Sequence, residues 1–134
     1  MFGSLNISTS GLVANRVRLE AISANIANQC AIKNDAGEYE PFRRRIVMLG
    51  AGDPASGTEE GVHVSAIDLD EGPLRMVYEP DSQFADADGY VGYPNIDIVI
   101  EQMNAMEAQR SYEANITAIE ATKSMISVAL QMLA

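Results

Sequence analysis

Residues 98–133 read IVIEQMNAMEAQRSYEANITAIEATKSMISVALQML. Apolar side chains in this stretch follow a register of alternating four- and three-residue steps. After Ile98, the members of this stripe are Ala105, Tyr112, Ile116, Ile119, Ile126, Leu130 and Leu133. A mean spacing of ~3.5 residues keeps one stripe of a helix turned toward a partner helix, as in a coiled coil. The stretch therefore predicts a long helix that pairs with another helix.

The partner helix is expected at the other end of the chain. Its apolar stripe, built largely on seven-residue spacing, consists of Leu5, Leu12, Leu19, Ile22 and Ile26. The pattern predicts a helix from residue 4 to about residue 28, with a weak opening because serine and glycine are poor helix formers. Asn28 is expected to end the helix in the left-handed cap conformation. We take both stripes together as the predicted coiled-coil and assembly interface.

The middle of the chain, residues 31–94, has a different pattern. It is rich in Gly, Pro and Asp and predicts short strands at 42–49, 61–66, 74–79 and 90–93, with a loop over 50–61. Asn95 is the expected cap of the last helix. The fold class is therefore α+β: an N-terminal helix in residues 1–30, a small antiparallel β region in 31–94, and a C-terminal helix in 95–134.

The length of the last helix indicates an elongated molecule. A helix over 96–133 would be ~57 Å long, whereas a compact globule of this chain length is only ~36 Å across. One partner helix also buries too little apolar surface to offset the entropy lost when ~25 residues become ordered. We therefore expect residues 1–28 to be disordered in the free monomer and to fold on assembly with other subunits.

The charge of the chain limits its partners. The formal net charge is −10, and residues 29–94 carry most of it, with thirteen acidic and five basic side chains. This balance argues against a nucleic-acid partner. No apolar run approaches the ~18 residues of a membrane span. The opening residues do not resemble a cleaved secretory signal.

No residue pattern makes a case for an enzyme, a cofactor or a metal. His63 is the only histidine and Cys30 the only cysteine, so neither has a partner of its own kind. Residues 86–89, DADG, match a calcium loop poorly and are interpreted as a turn. Arg43, Arg44 and Arg45 form a basic run in an acidic region. We expect them to pair with acids of this or a neighbouring subunit.

Several segments resemble a known family. One segment is similar to the N-terminal signature of the bacterial flagellar rod and hook axial proteins; it is Ile22-Ser23-Ala24-Asn25-Ile26-Ala27-Asn28. The signature has the pattern Asn-hydrophobic-Ala-Asn, which is matched here by Asn25, Ile26, Ala27 and Asn28. Further similar segments are PFRR at 41–44, GVHV at 61–64, LRMVYEP at 74–80, ADADGYV at 85–91, PN at 94–95, RSYEAN at 110–115 and ATKSM at 121–125. Together these segments resemble the proximal-rod members of that family.

The resemblance implies a structural subunit of the flagellar basal-body rod. It also implies a coiled-coil inner domain made by the terminal helices, export by the flagellar type III apparatus without a cleaved signal, and a place in the rod that crosses the periplasm. The implied partners are other rod proteins, the rod-base adaptor and further copies in a helical lattice that transmits torque for motility. The alternative is an independently folded helical-hairpin binding module, such as a secretion adaptor or chaperone.

Overall fold

Two long helices bracket two small antiparallel sheets in the computed structural model, which describes residues 2–134. The elements in chain order are α1 (Phe2–Ala27), β1 (Arg45–Asp53), β2 (Thr58–Leu69), β3 (Arg75–Tyr78), β4 (Tyr90–Tyr93) and α2 (Ile98–Leu133). The α+β class with terminal helices and a central β region is confirmed. With 36 residues, α2 is ~54 Å long.

The start of α2 differs from the prediction. Asp97, and not Asn95, is the N-cap residue: it has extended backbone angles, and its side chain accepts hydrogen bonds from the backbone N–H groups of Val99 and Ile100. A carboxylate at this position both satisfies free N–H groups and interacts favourably with the helix dipole. The prediction of Asn95 was wrong because both residues are good caps, and sequence alone does not rank them.

The end of α1 also differs from the prediction. Asn28 was expected to have a positive φ, but among residues 2–134 only glycines do. Instead, the Asn28 backbone N–H and its side-chain Nδ2 both donate to the carbonyl oxygen of Ala24, at 3.1 and 2.8 Å. The side chain thus adds a second hydrogen bond to a carbonyl that the Asn28 backbone N–H already satisfies, and it does so without a left-handed residue.

β1 and β2 form a long hairpin that the sequence suggested only in part. The predicted loop over 50–61 is mostly strand, and only residues 54–57 form the turn. The register shifts between Met48 and Leu49 and again between Ala51 and Asp53. Gly52 has a φ of 79°, and a Cβ there would lie 2.7 Å from the carbonyl oxygen of Thr58. Glycine allows this irregular pairing, which explains why the segment resembled a loop.

β3 and β4 form the second sheet, close to the predicted bounds. The strands pair from Arg75 opposite Tyr93 to Tyr78 opposite Tyr90. The Tyr78 and Tyr90 rings meet edge to face, with centroids 5.3 Å apart. This sheet leads directly into α2 through residues 94–97.

The hydrophobic core of the chain is small. Its buried apolar side chains are Ala14, Ala21, Ile22, Val91, Ile96 and Ala108, and several of these are alanines. About half of the large apolar side chains among residues 2–134 are exposed instead. Within the part of the chain that the structure describes, neither helix has the length and hydropathy needed to cross a membrane. The fold therefore leaves much apolar surface uncovered.

Candidate assembly surface

The two helices pair in antiparallel orientation. Three contacts define the alignment: a Cβ on Gly11 would lie 2.7 Å from Nδ2 of Asn115, Arg18 forms an ion pair with Glu107 at 3.8 Å, and Asn25 bonds Glu101 at 3.2 Å. Residue numbers on α2 fall as those on α1 rise. Extending this alignment places the start of α1, at Phe2, opposite about residue 124 of α2.

Small and polar side chains line the seam between the helices. Ala14 and Ala108 are almost completely buried, as are Asn15 and Thr122. The polar groups bond within their own helix: Asn15 Nδ2 donates to the Gly11 carbonyl and Thr122 Oγ1 to the Ala118 carbonyl, both at 2.9 Å. The helices therefore approach closely, and packing of small residues holds them together more than large apolar side chains do.

Beyond Phe2, where α1 begins, the alignment leaves the last part of α2 without a partner among residues 2–134. We call residues 124–134 the C-terminal overhang. It contains no charged side chain. Ile126 is half-buried, and the other large apolar residues of the overhang are exposed. They are Met125, Val128, Leu130, Met132 and Leu133, with Leu130 62% and Leu133 85% exposed. An uninterrupted apolar surface of this kind is typical of an interaction site.

A second exposed apolar patch lies near the start of α2. Its residues are Val99, Ile100, Met103 and Met106. The hairpin adds Met48, Leu49, Ile67 and Leu69, each roughly half exposed. Methionines are flexible and pack well against surfaces of different shape. Exposed apolar surface therefore occurs along the whole length of the molecule, and not only at the overhang.

At the opposite end from the overhang, α1, α2 and the β region meet in a junction of Asn25, Arg44, Glu101 and the backbone of Arg45. We call it the buried junction because Asn25 and Glu101 are buried. Glu101 is only 1% exposed, and its Oε1 pairs with Nε of Arg44. Asn25 Nδ2 donates to Glu101 Oε2 at 3.2 Å and to the Arg45 carbonyl at 3.0 Å, and Asn25 Oδ1 accepts from the Arg45 N–H at 2.8 Å. Both oxygens of the buried carboxylate are satisfied.

The comparisons with known proteins cover the whole chain. Residues 87–132 match the family described as flagellar basal body rod FlgEFG protein C-terminal. Over nearly its full length the chain is similar to flagellar basal-body rod protein FlgC of Bacillus subtilis, with 38% identity over 98% of this chain and 97% of the relative. The chain belongs to the FlgC family. FlgC of Borreliella burgdorferi is 35% identical over 99% of this chain and 97% of its own length. FlgC of Salmonella typhimurium is 36% identical over 90% and 89%.

In this FlgC-family chain, only part of the predicted stripe of α1 lies in the seam. Ile22 is buried, and Leu5, Leu12, Leu19 and Ile26 are half-buried. The most buried residues of α1 form a different set, which includes Gly11, Asn15 and Asn25. These three also follow the coiled-coil register, but the predicted stripe left them out because they are not apolar. Asn25 was named only as part of the family motif. The spacing of the three in the sequence was the signal that could have placed them in the seam.

The predicted stripe of α2 divides in the same way. Tyr112, Ile119 and Ile126 are half-buried, whereas Ile116 is 37% exposed and Leu130 and Leu133 are more exposed still. The buried positions Glu101, Ala108 and Thr122 recur at multiples of seven. The structure therefore brings only part of each predicted stripe into the helix pair. A role in assembly for the exposed members stays a prediction.

The remaining candidates from the sequence occupy turns and surfaces. Nδ1 of His63 lies 2.7 Å from the Gly52 carbonyl oxygen, so the ring braces the hairpin. Asp86 Oδ1 accepts from the N–H groups of Asp88 and Tyr90, which makes the segment a turn. Cys30 is an exposed free cysteine. Within residues 2–134, no group of three or more His, Cys, Asp and Glu side chains could hold a metal ion.

Among the described residues, Asp53 and Tyr93 show a shifted pKa, and each shift has a local cause. The Ser56 hydroxyl, with the Ala55 N–H, bonds the Asp53 carboxylate at the hairpin turn and lowers the pKa of Asp53. The Tyr93 hydroxyl donates to Glu79 Oε2 at 3.0 Å, which raises the pKa of Tyr93. Asp53 ends β1 at the hairpin turn, and Tyr93 ends β4.

Proposed function

We propose that this chain is a structural subunit of the flagellar basal-body rod. Its family membership over nearly the full length supports the basal body as its location. The observation that carries the assembly role is the overhang, because an exposed helix segment without a charged side chain is stable in water only at a cost. Neighbouring subunits that cover this segment remove that cost.

The finer parts of the proposal concern position, export and mechanics. We place the subunit in the proximal rod, in the periplasmic space, after export by the flagellar type III apparatus without a cleaved signal. Its neighbours are further copies, other rod proteins and the rod-base adaptor. Torque passes through it because the buried junction fastens the β region to both helices, so that force on either part reaches the other.

The test is genetic and structural together. Deleting the gene in the bacterium that encodes this chain should abolish swimming, and purified basal bodies should lack the rod. Expression of the intact chain from a plasmid should restore both. If basal bodies from the complemented strain contain no copy of this chain, the rod assignment fails and the helical-hairpin binding module becomes the better interpretation.

A matched pair of variants tests the surface that carries the proposal. Val128→Asp places a charge on the apolar part of the overhang, and burial of an unpaired charge costs several kcal/mol. Gln131→Asp places the same charge on a polar, exposed position of the same segment. At equal expression, Val128→Asp should be absent from basal bodies and Gln131→Asp retained. Equal incorporation of the two variants would show that the overhang is not an assembly contact.

A further inference from the structure

A groove runs along α1 on a side that α2 does not cover. It has a volume of about 530 Å³ and lies between α1 and the β1–β2 hairpin. Its apolar lining includes Ile7, Val13, Val17, Val62 and Val64, and no residue of α2 takes part. Val13 is 58% exposed. We call this feature the α1–hairpin groove.

The hairpin is fastened to α1 at this groove. The Ser10 hydroxyl donates to the Ile7 carbonyl at 2.6 Å and accepts from the N–H of Val62 at 3.1 Å. A Cβ on Gly61 would lie 2.7 Å from Oγ of Ser10, so the strand and the helix are in close contact there. This contact fixes the helix and the strand relative to each other, and so it fixes the shape of the groove.

We propose that the α1–hairpin groove receives the C-terminal overhang of a second copy of this chain. The proposal rests on the proposed function and names one contact within it. The groove follows α1 from Asn6 to Val17, a helical length of ~18 Å, and the overhang of eleven residues is ~16 Å long if helical throughout. The apolar side chains of the overhang fit the apolar wall of the groove, and the overhang brings no charged side chain to Asp53 and Glu60, the two carboxylates that also line the groove.

The alignment of the helices supports a second copy as the occupant. The middle of the overhang lies beyond the start of α1, so a copy shifted by ~20 Å along the helix axis brings its overhang level with the groove. A shifted, parallel copy also keeps its α2 antiparallel to the first copy's α1, as within one chain. The groove and the overhang are different surfaces, so the contact is head-to-tail. Such contacts do not close on a dimer and instead produce rings or helical polymers.

The experiment uses cysteine pairs in assembled basal bodies. In a Cys30→Ser background, one copy carries Val13→Cys in the groove and a co-expressed copy carries Val128→Cys in the overhang. Mild oxidation should give a disulfide-linked species of twice the chain mass. In the control pair, Val128→Cys is replaced by Gln109→Cys, an exposed position of α2 outside the overhang. The groove–overhang pair should give at least about tenfold more product, because the two thiols are held at high effective concentration.

A photoreactive amino acid at Gln131 gives an independent measurement without a substitution in the apolar surface. Mass spectrometry should locate its crosslinks in residues 6–17 or 58–64 of another copy. Crosslinks to a different rod protein, or to another segment of this chain, would overturn the proposal, and so would equal disulfide yields for the two pairs. Absence of the chain from the basal bodies would contradict the proposed function itself. That result is distinct from a failure of the groove contact, in which the chain is present but the expected crosslinks are missing.

Discussion

At one end of the helix pair, Asn25, Arg44 and Glu101 satisfy one another inside the chain, and Glu101 is almost completely buried. At the other end, the overhang leaves Leu130, Leu133 and their apolar neighbours in water. A polar cluster is buried where the chain can complete it, and an apolar segment is exposed where the chain cannot cover it. The difference indicates that the junction end contributes to the stability of the single chain, whereas a role of the overhang end in assembly is our proposal.

The strongest test of this comparison removes one side of the buried ion pair. Arg44→Ala leaves the carboxylate of Glu101 buried without its charge partner. The expected loss is about 3 kcal/mol of unfolding free energy, at the low end for buried pairs because the Arg44 side chain is 26% exposed. Urea unfolding of the purified chain, followed by circular dichroism, measures it.

The matched control is the exposed ion pair of Arg16 and Glu20, which lies on the surface of α1. Arg16→Ala should cost at most about 0.5 kcal/mol, because water screens exposed pairs. If the two variants unfold at the same urea concentration, the junction does not stabilise the single chain, and the contrast between the ends disappears.

A smaller effect is expected in the middle of the helix pair. Gly11→Leu inserts a side chain where even a Cβ would lie 2.7 Å from Asn115. Overpacking of this kind costs about 1–3 kcal/mol. Replacing Asn115 by alanine in the same chain should recover part of the loss, since it makes room. A Gly11→Leu chain as stable as the parent, by urea unfolding, would mean that the helices do not approach closely at this point.

Amide hydrogen exchange of the free chain should show a gradient along α1. The Asn25 side chain forms hydrogen bonds with the β region and with α2. The first residues of α1 include serine and glycine and form fewer such bonds. We expect residues 2–10 to exchange at least about tenfold faster than residues 19–27. Uniform protection along α1 would instead favour a helical hairpin that folds completely on its own.

The smallest effect is expected at the overhang. Leu130→Ser should change the unfolding free energy of the free chain by no more than about 0.5 kcal/mol, because Leu130 is already exposed. Ile22→Ser is the comparison, since Ile22 is buried in α1. Urea unfolding of both should give a large loss for Ile22→Ser alone. A large loss for Leu130→Ser would mean that the free chain folds the overhang back onto itself.

The periodic parts of the chain could be predicted well, and the irregular parts less well. Seven-residue repeats indicated both helices, and the turn residues on either side indicated β3 and β4 closely. The hairpin of β1 and β2 was predicted too short, because glycines such as Gly52 accommodate register shifts that sequence patterns do not reveal. For the site, apolar spacing identified Ile22 and Ile119 but missed Gly11 and Asn115, whose importance comes from close contact across the seam.

Local patterns in the sequence were enough to predict two terminal helices, their need for a partner helix, and the concentration of charge between them. These properties follow from local periodicity and composition, which each residue carries with it. The three-dimensional fold was needed to show which face of each helix lies in the seam, that Arg44 pairs with Glu101, and that the overhang extends past the start of α1. Those features depend on the alignment of segments far apart in the chain. That alignment is set by the close fit of small residues and by one buried carboxylate that must find its partners.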